Sequence, residues 1–167
     1  MEIRLPTIED KEIINKYMEE HYINNEHKLH GSNMLDKMDF SEWIKRIERL
    51  TKKAEDKWGI SDTLIAINEE NKMIGIVNIR YNPDNEFLLK SGHIGYGVCP
   101  SERRKGIATK LLQKALEKCK EHGLTSVIVG CRKNNIASAK TIIKNGGVLD
   151  RESVEGSNIN QYYKINL

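Results

Sequence analysis

Between Ile107 and Cys119 the apolar residues Ile107, Ala108, Leu111, Leu112, Ala115, Leu116 and Cys119 recur at i, i+1, i+4, i+5, i+8, i+9 and i+12. That spacing predicts a helix with one apolar stripe. Lys110, Lys114, Lys118 and Lys120 fall largely off the stripe, and Gly123 is a natural stop. The flanking segments read as strands. Ser91 to Cys99 carries Ile94, Tyr96 and Val98, with Gly95 and Gly97 marking a bulge or the close approach of a ligand, and Pro100 ends it. Ser126 to Cys131 holds the short buried-looking run Val127, Ile128 and Val129. Upstream, Glu2 to Leu5 is an opening strand, and a helix starts around Pro6, Thr7 and Asp10 and continues through Ile13, Ile14, Tyr17 and Met18. Residues 22–38 are polar and read as a loop. A second helix is expected from about Ser41 to Trp58, with Trp43, Ile44, Ile47 and Leu50 on one side. Asp62–Ile67 and Met73–Tyr81 form strands joined by Asn68-Glu69-Glu70-Asn71-Lys72, a hairpin signal. Asn82–Ser91 is the long loop inside the sheet, and Val148-Leu149 and Tyr162–Leu167 are two closing strands. No repeat or linker interrupts the 167 residues, so one domain with one core is expected over 1–167.

The junction between the strand ending at Cys99 and the long helix carries the candidate chemistry. It reads Val98-Cys99-Pro100-Ser101-Glu102-Arg103-Arg104-Lys105-Gly106-Ile107-Ala108-Thr109. Three cations precede a glycine, which allows a tight turn and close backbone approach. The first turn of the helix leaves unpaired N–H groups and a positive dipole end. Together these suit a pyrophosphate. A solvated basic turn is the plainer reading of the charges alone. No Gly-x-x-x-x-Gly-Lys-Ser/Thr loop occurs, and no Gly-x-Gly-x-x-Gly follows a strand.

Charge and composition narrow the partners. The net charge is +3 from 27 basic and 24 acidic side chains, too balanced to argue for nucleic acid, and 6% aromatics leave little for base stacking. The start lacks the apolar core of a signal peptide, and no run approaches the ~18 apolar residues of a membrane span. Cys99, Cys119 and Cys131 are odd in number on expected core elements, which fits reduced thiols and a cytoplasmic protein. A catalytic Cys99 or Cys131 lacks a paired His pattern, and the five His residues form no metal-ligand cluster.

From Gly92 to Gly147 the chain resembles the GNAT superfamily of acyl-CoA-dependent N-acyltransferases. Arg103-Arg104-Lys105-Gly106-Ile107-Ala108 matches the family's Arg/Gln-x-x-Gly-x-Gly/Ala signature, and Asn135-Ile136-Ala137-Ser138 matches its Asn-x-x-Ser before a short helix ending Lys144-Asn145-Gly146. Asn135 is also a good helix N-cap in its own right. The resemblance implies an α+β fold, a mixed, mostly antiparallel twisted sheet of about six or seven strands flanked by about four helices. It implies acetyl-CoA as co-substrate, no metal, and acetyl transfer to an amine within a ternary complex.

Acetyl-CoA would then be bound by Val98, Arg103, Arg104, Lys105, Gly106, Ile107, Ala108, Thr109, Asn135 and Ser138. By family analogy the Val98 N–H faces the thioester carbonyl and stabilises the developing oxyanion. His93, on the strand leading to Val98, is the first candidate for the base that deprotonates the amine. Its plainer role is a strand histidine bonded to a neighbouring segment, and Glu86 or Asp84 could instead bind a cationic substrate. Many family members carry a Tyr on the helix after Asn-x-x-Ser, where this chain has Ile142. Tyr163 is the expected donor to the leaving thiolate, with Tyr162, water or no dedicated acid as alternatives; Tyr96 could also reach the site, although a packed strand tyrosine is its plainer reading. The acceptor pocket corresponds to residues 22–60 and 82–92, where Phe87-Leu88-Leu89 could line a pocket or an oligomer interface. A small-molecule amine and a homodimer are expected. A non-catalytic CoA-binding or regulatory module is the rival reading, and an RNA- or anion-binding domain using Arg103–Lys105 is the third.

Overall fold

The computed structural model describes residues 1–82 and 84–167; Pro83, within the expected 82–91 loop, lies outside them. Among the described residues, seven strands and five α-helices follow in the order β1 (Glu2–Arg4), α1 (Lys11–Ile23), α2 (Phe40–Leu50), β2 (Ser61–Ile67), β3 (Met73–Arg80), α3 (Glu86–Ser91), β4 (Ile94–Val98), α4 (Ile107–Glu121), β5 (Ser126–Arg132), α5 (Ile136–Lys144), β6 (Val148–Glu155) and β7 (Asn158–Asn166). The strands form two antiparallel sheets, one in the order β1-β2-β3-β4 and one in the order β5-β7-β6.

Helices cover both faces of the first sheet, which explains the nearly unbroken apolar runs of β2 and β3. Side chains alternate along a strand. Leu64 and Ala66 therefore join Leu111, Leu112 and Ala115 of α4, while Ile65 and Ile67 join Ile14, Tyr17, Trp43 and Ile47 of α1 and α2. Burying each such large side chain contributes roughly 1.5–3 kcal/mol. Trp43 also donates its indole N–H to the Ser32 carbonyl at 2.8 Å, which pins the α1–α2 connection to the core.

Three local expectations are corrected. The second helix ends at Leu50, well short of Trp58. Ala54 and Trp58 keep the helical spacing of the Trp43–Ile44–Ile47–Leu50 face, but Ala54 is exposed, Trp58 packs on Phe87 instead, and the Lys52 and Lys53 N–H groups both turn back to the Arg49 carbonyl. The 82–91 segment is not all loop: Asn85 caps α3 by accepting from the Phe87 and Leu88 N–H groups, while Leu88 is buried and Phe87 meets the Trp58 ring edge-on at 4.3 Å. The closing hairpin is longer than its apolar residues suggest, because β6 lies at the sheet edge and keeps most of its side chains in solvent.

Candidate active site

The geometry starts from which way β4 faces. Hydrogen-bonded and non-hydrogen-bonded pairs alternate along an antiparallel ladder. Arg80 N–H donates to the His93 carbonyl and Cys99 N–H to the Ile74 carbonyl, both at 3.0 Å. Within the β3–β4 register this turns the N–H groups of Ile94, Tyr96 and Val98 away from β3. On their free side lies β5, which meets β4 at one point. His93 N–H donates to the Ile128 carbonyl at 2.7 Å, and Ile128 N–H donates back to His93 Nδ1 at 3.0 Å. Beyond that clamp no backbone bond joins β4 to β5 among the described residues. The Tyr96 and Val98 edges therefore line an open slot.

The slot leads to the basic loop. Gly106 holds φ +80° and is the N-cap of α4, and a Cβ built there meets nothing within 4 Å. The first helical bond runs from Lys110 N–H to the Gly106 carbonyl at 3.2 Å. Ile107, Ala108 and Thr109 precede it, so their N–H groups point out of the helix end. Arg104 also sits in the left-handed region at φ +63°. The cationic side chains are less free than the sequence suggests. Arg103 makes a two-pronged ion pair with Glu26 at 2.7 and 2.6 Å and donates Nε to the Val98 carbonyl at 3.3 Å. Lys105 pairs with Glu102 at 3.0 Å, whereas Arg104 makes no ion pair among the described residues. Backbone N–H groups, more than side-chain charge, are what this loop presents to an anion.

Carboxylates in the last turn of α1 and just beyond it fasten the loop in place. Glu20 accepts the Ser101 N–H at 2.7 Å and pairs with Lys72 at 3.0 Å. Burial acts against its charge, but hydrogen bonds from Cys99, Ser101 and Lys72 outweigh it and hold the carboxyl at about 2. Glu26 is lowered chiefly by the Arg103 guanidinium, and its second oxygen also takes His21 Nδ1 at 2.7 Å.

On the other wall, Asn135 caps α5 by accepting the Ser138 N–H at 3.1 Å. The Tyr96 hydroxyl crosses from β4 to Ser138 Oγ at 2.8 Å. Asn145 Nδ2 reaches the Thr109 carbonyl at 3.4 Å and ties α5 to α4. Ile142 is fully buried. Tyr163 is buried in the core, and its hydroxyl donates to Gln161 on its own strand at 2.9 Å. Tyr162 faces the opposite side of the sheet, with its ring 3.0 Å from where a Cβ on Gly130 would stand. Burial pushes the Cys99 and Cys119 thiols up to about 12, so neither is a thiolate at neutral pH.

The glycines of β4 answer to the chain itself. A Cβ on Gly97 would stand 2.7 Å from the His30 carbonyl, and one on Gly31 would stand 2.6 Å from both the Gly95 carbonyl oxygen and Tyr96 Cα. Residues 30–31 thus cross directly over β4, on the face opposite Tyr96 and Val98, correcting the expectation of a bulge or ligand contact. His30, which nothing in the sequence singled out, arrives there with an exposed side chain. Its imidazole is held below its ordinary value, first by desolvation and then by the charges of Lys28 and Arg132. Asp84 and Glu86 are both exposed to solvent.

His93 is 1% exposed, and its Nδ1 is occupied by the Ile128 N–H. It precedes Val98 by five residues, about 16 Å along an extended strand. Burial, with the charge of Arg80, lowers its pKa. A histidine held neutral in the folded state contributes stability above its unfolded pKa and loses it as pH falls through the folded value. The protein should therefore lose thermal stability on mild acidification. His93→Asn, which keeps an acceptor for Ile128, should show a shallower loss in melts across that range. An identical pH dependence in the variant would remove His93 from this account.

The acetyltransferase (GNAT) domain profile matches residues 1–148. An N-acetyltransferase of Bacillus subtilis (strain 168), YjdG, whose name marks it as uncharacterized, is 26% identical over 118 residues, covering 70% of this chain and 68% of YjdG. Among solved structures, yncA from Salmonella typhimurium, determined with its cofactor acetyl-CoA, has a TM-score of 0.68 at 15% identity, covering 99% of this chain and 93% of that one. A ribosomal-protein-S5-alanine acetyltransferase from Vibrio fischeri has a TM-score of 0.72 at 18% identity, covering 98% and 91%. At such identities the two structures speak to the fold alone. The profile match spans the first sheet, the slot, the basic loop and β5 of the second sheet, and by it the chain belongs to the GNAT acetyltransferase family.

Proposed function

We propose that the protein is an N-acetyltransferase that carries the acetyl group of acetyl-CoA to an amine, by direct attack with both substrates bound. The observation that carries this reading is two sets of outward-facing backbone donors, at Tyr96 and Val98 on the edge of β4 and at Ile107, Ala108 and Thr109 in the first turn of α4, beside a slot where β4 and β5 part. The N–H groups of Ile107, Ala108 and Thr109 suit the pyrophosphate. Arg104 adds charge, and Asn135 and Ser138 line the opposite wall. Arg103 and Lys105 act at one remove, by fixing the loop through Glu26 and Glu102. Gly106 leaves the face of the loop unobstructed to a ligand, since a Cβ there would meet nothing within 4 Å. Acetyl-CoA supplies an activated acyl group. A donor such as the Val98 N–H is typically worth about 3 kcal/mol in the transition state. Holding both reactants together supplies proximity without a covalent intermediate.

Within this reading His93 holds β4 to β5 at the mouth of the slot. The amine's proton goes to His30 or to water, since His30 is neutral at physiological pH. The acceptor is a small amine reaching the slot past residues 30–34. A non-catalytic CoA-binding module is the second reading, favoured by Ile142 at the helix position where many relatives carry Tyr. Thiol release from acetyl-CoA over a panel of polyamines, amino acids and aminoglycosides separates the two. Release that depends on an amine supports the enzyme; tight CoA binding with no release across the panel supports the module.

A further inference from the structure

Alternation along β5 sends Val127 and Val129 into the core beside α4, and Ser126 and Ile128 to the opposite face of the second sheet. Lys164 is the cross-strand partner of Ile128 and shares that face. Between this face and the end of α3 lies a cavity of about 280 Å³, walled by His93, Ser126, Asp150, Arg151 and Lys164, with Leu89 from α3. Tyr96, Val98 and Ser138 take no part in it, so it is separate from the slot and meets it only at the His93–Ile128 clamp.

Hydrogen bonding on these walls is incomplete. With Nδ1 accepting from the Ile128 N–H, the neutral His93 ring carries its proton on Nε2. That N–H, in a residue 1% exposed, has no partner. Buried polar groups in native proteins are nearly always paired. Lys164 makes no ion pair, and the Ser126 hydroxyl no hydrogen bond, among the described residues. Arg151, by contrast, is spent. It pairs with Asp150 at 2.8 Å, donates to the Leu89 and Lys90 carbonyls, and lies 4.3 Å from the Tyr162 ring. Asp150, the one carboxylate on the wall, is thereby neutralised. Three donors and one uncompensated positive charge are left. A single water would satisfy Nε2, but it fills only ~30 Å³ and brings no charge to Lys164.

The geometry points to a binding site for a small oxyanion, a carboxylate or a phosphate group, held in this cavity by His93 Nε2–H, Lys164 and Ser126. It does not depend on the N-acetyltransferase reading. An acceptor at Nε2–H also makes Nδ1 a stronger acceptor for the Ile128 N–H, because linked hydrogen bonds polarise one another. Occupancy therefore tightens the clamp that joins β4 to β5.

Inorganic phosphate and acetate, titrated separately into isotope-labelled protein at constant ionic strength, test the site through the Ile128 and Lys164 backbone amides in NMR spectra. Saturation at millimolar anion is expected, with the Ile128 amide moving downfield as its bond to Nδ1 shortens. Lys164→Gln, at an exposed position on β7, should weaken the midpoint about fivefold. Gly106→Val, altered at the α4 loop where a phosphate could also sit, should leave the Ile128 midpoint unchanged. Saturation by only one probe names the source as phosphate or carboxylate. No saturable movement with either anion, or the same midpoint in Lys164→Gln, overturns the site and leaves a buried water only at Nε2. Neither result bears on acetyl-CoA binding, which is read at the other loop.

Discussion

Gly106→Val should weaken acetyl-CoA binding at least tenfold while the protein stays folded. Gly106 sits at φ +80°, where a β-branched residue is strained by about 1–2 kcal/mol. The chain can relieve that strain only by turning the peptide planes that aim the Ile107, Ala108 and Thr109 N–H groups. Nothing lies within 4 Å of the position where its Cβ would stand, so the substitution disturbs no packing and fills only the space in front of the loop. Calorimetric titration with acetyl-CoA, beside a thermal melt, reads both halves of the expectation. A folded variant with unchanged affinity would mean that the anion is not held here. Arg103→Ala should cost less, because its guanidinium is already engaged by Glu26 and by the Val98 carbonyl.

Gly31→Ala should be the more damaging change to the fold. Its Cβ would stand 2.6 Å from the Gly95 carbonyl oxygen and from Tyr96 Cα, and both belong to the backbone of a paired strand that cannot give way. The φ of +73° adds left-handed strain. Together these predict a loss of about 2–4 kcal/mol in denaturant unfolding, and a displaced 30–31 crossing that lowers turnover with any amine. Gly123→Ala is the control, since φ is +79° and its Cβ meets nothing within 4 Å. It should show the strain alone. If the two variants unfold at the same denaturant concentration, the close crossing over β4 contributes nothing to stability.

Local signals in the sequence survive well. The apolar stripe of α4, the glycines at 106 and 123, and the Asn68–Lys72 hairpin each rest on interactions within a few residues. The Asn68 side chain, for example, accepts from the Glu70 and Lys72 N–H groups. Asn135 likewise caps its own helix. What was hidden depends on segments far apart in the chain. Arg103 reads as a free cation until the fold brings Glu26 to it from 77 residues away. Gly95 and Gly97 announced a close approach, but the identity of the approaching segment, residues 30–31, has no local trace. His93 had the type and position of a base, and only the β5 register shows its Nδ1 spent on Ile128. His30 carried no signal at all, because a histidine in a polar loop gains meaning only from what the loop crosses.

The most direct test of the central claim is calorimetric titration of the purified protein with acetyl-CoA. Saturable one-to-one binding is the predicted result, with affinity lost in Gly106→Val. No heat of binding from demonstrably folded protein would contradict the account, and would leave the family fold without its co-substrate.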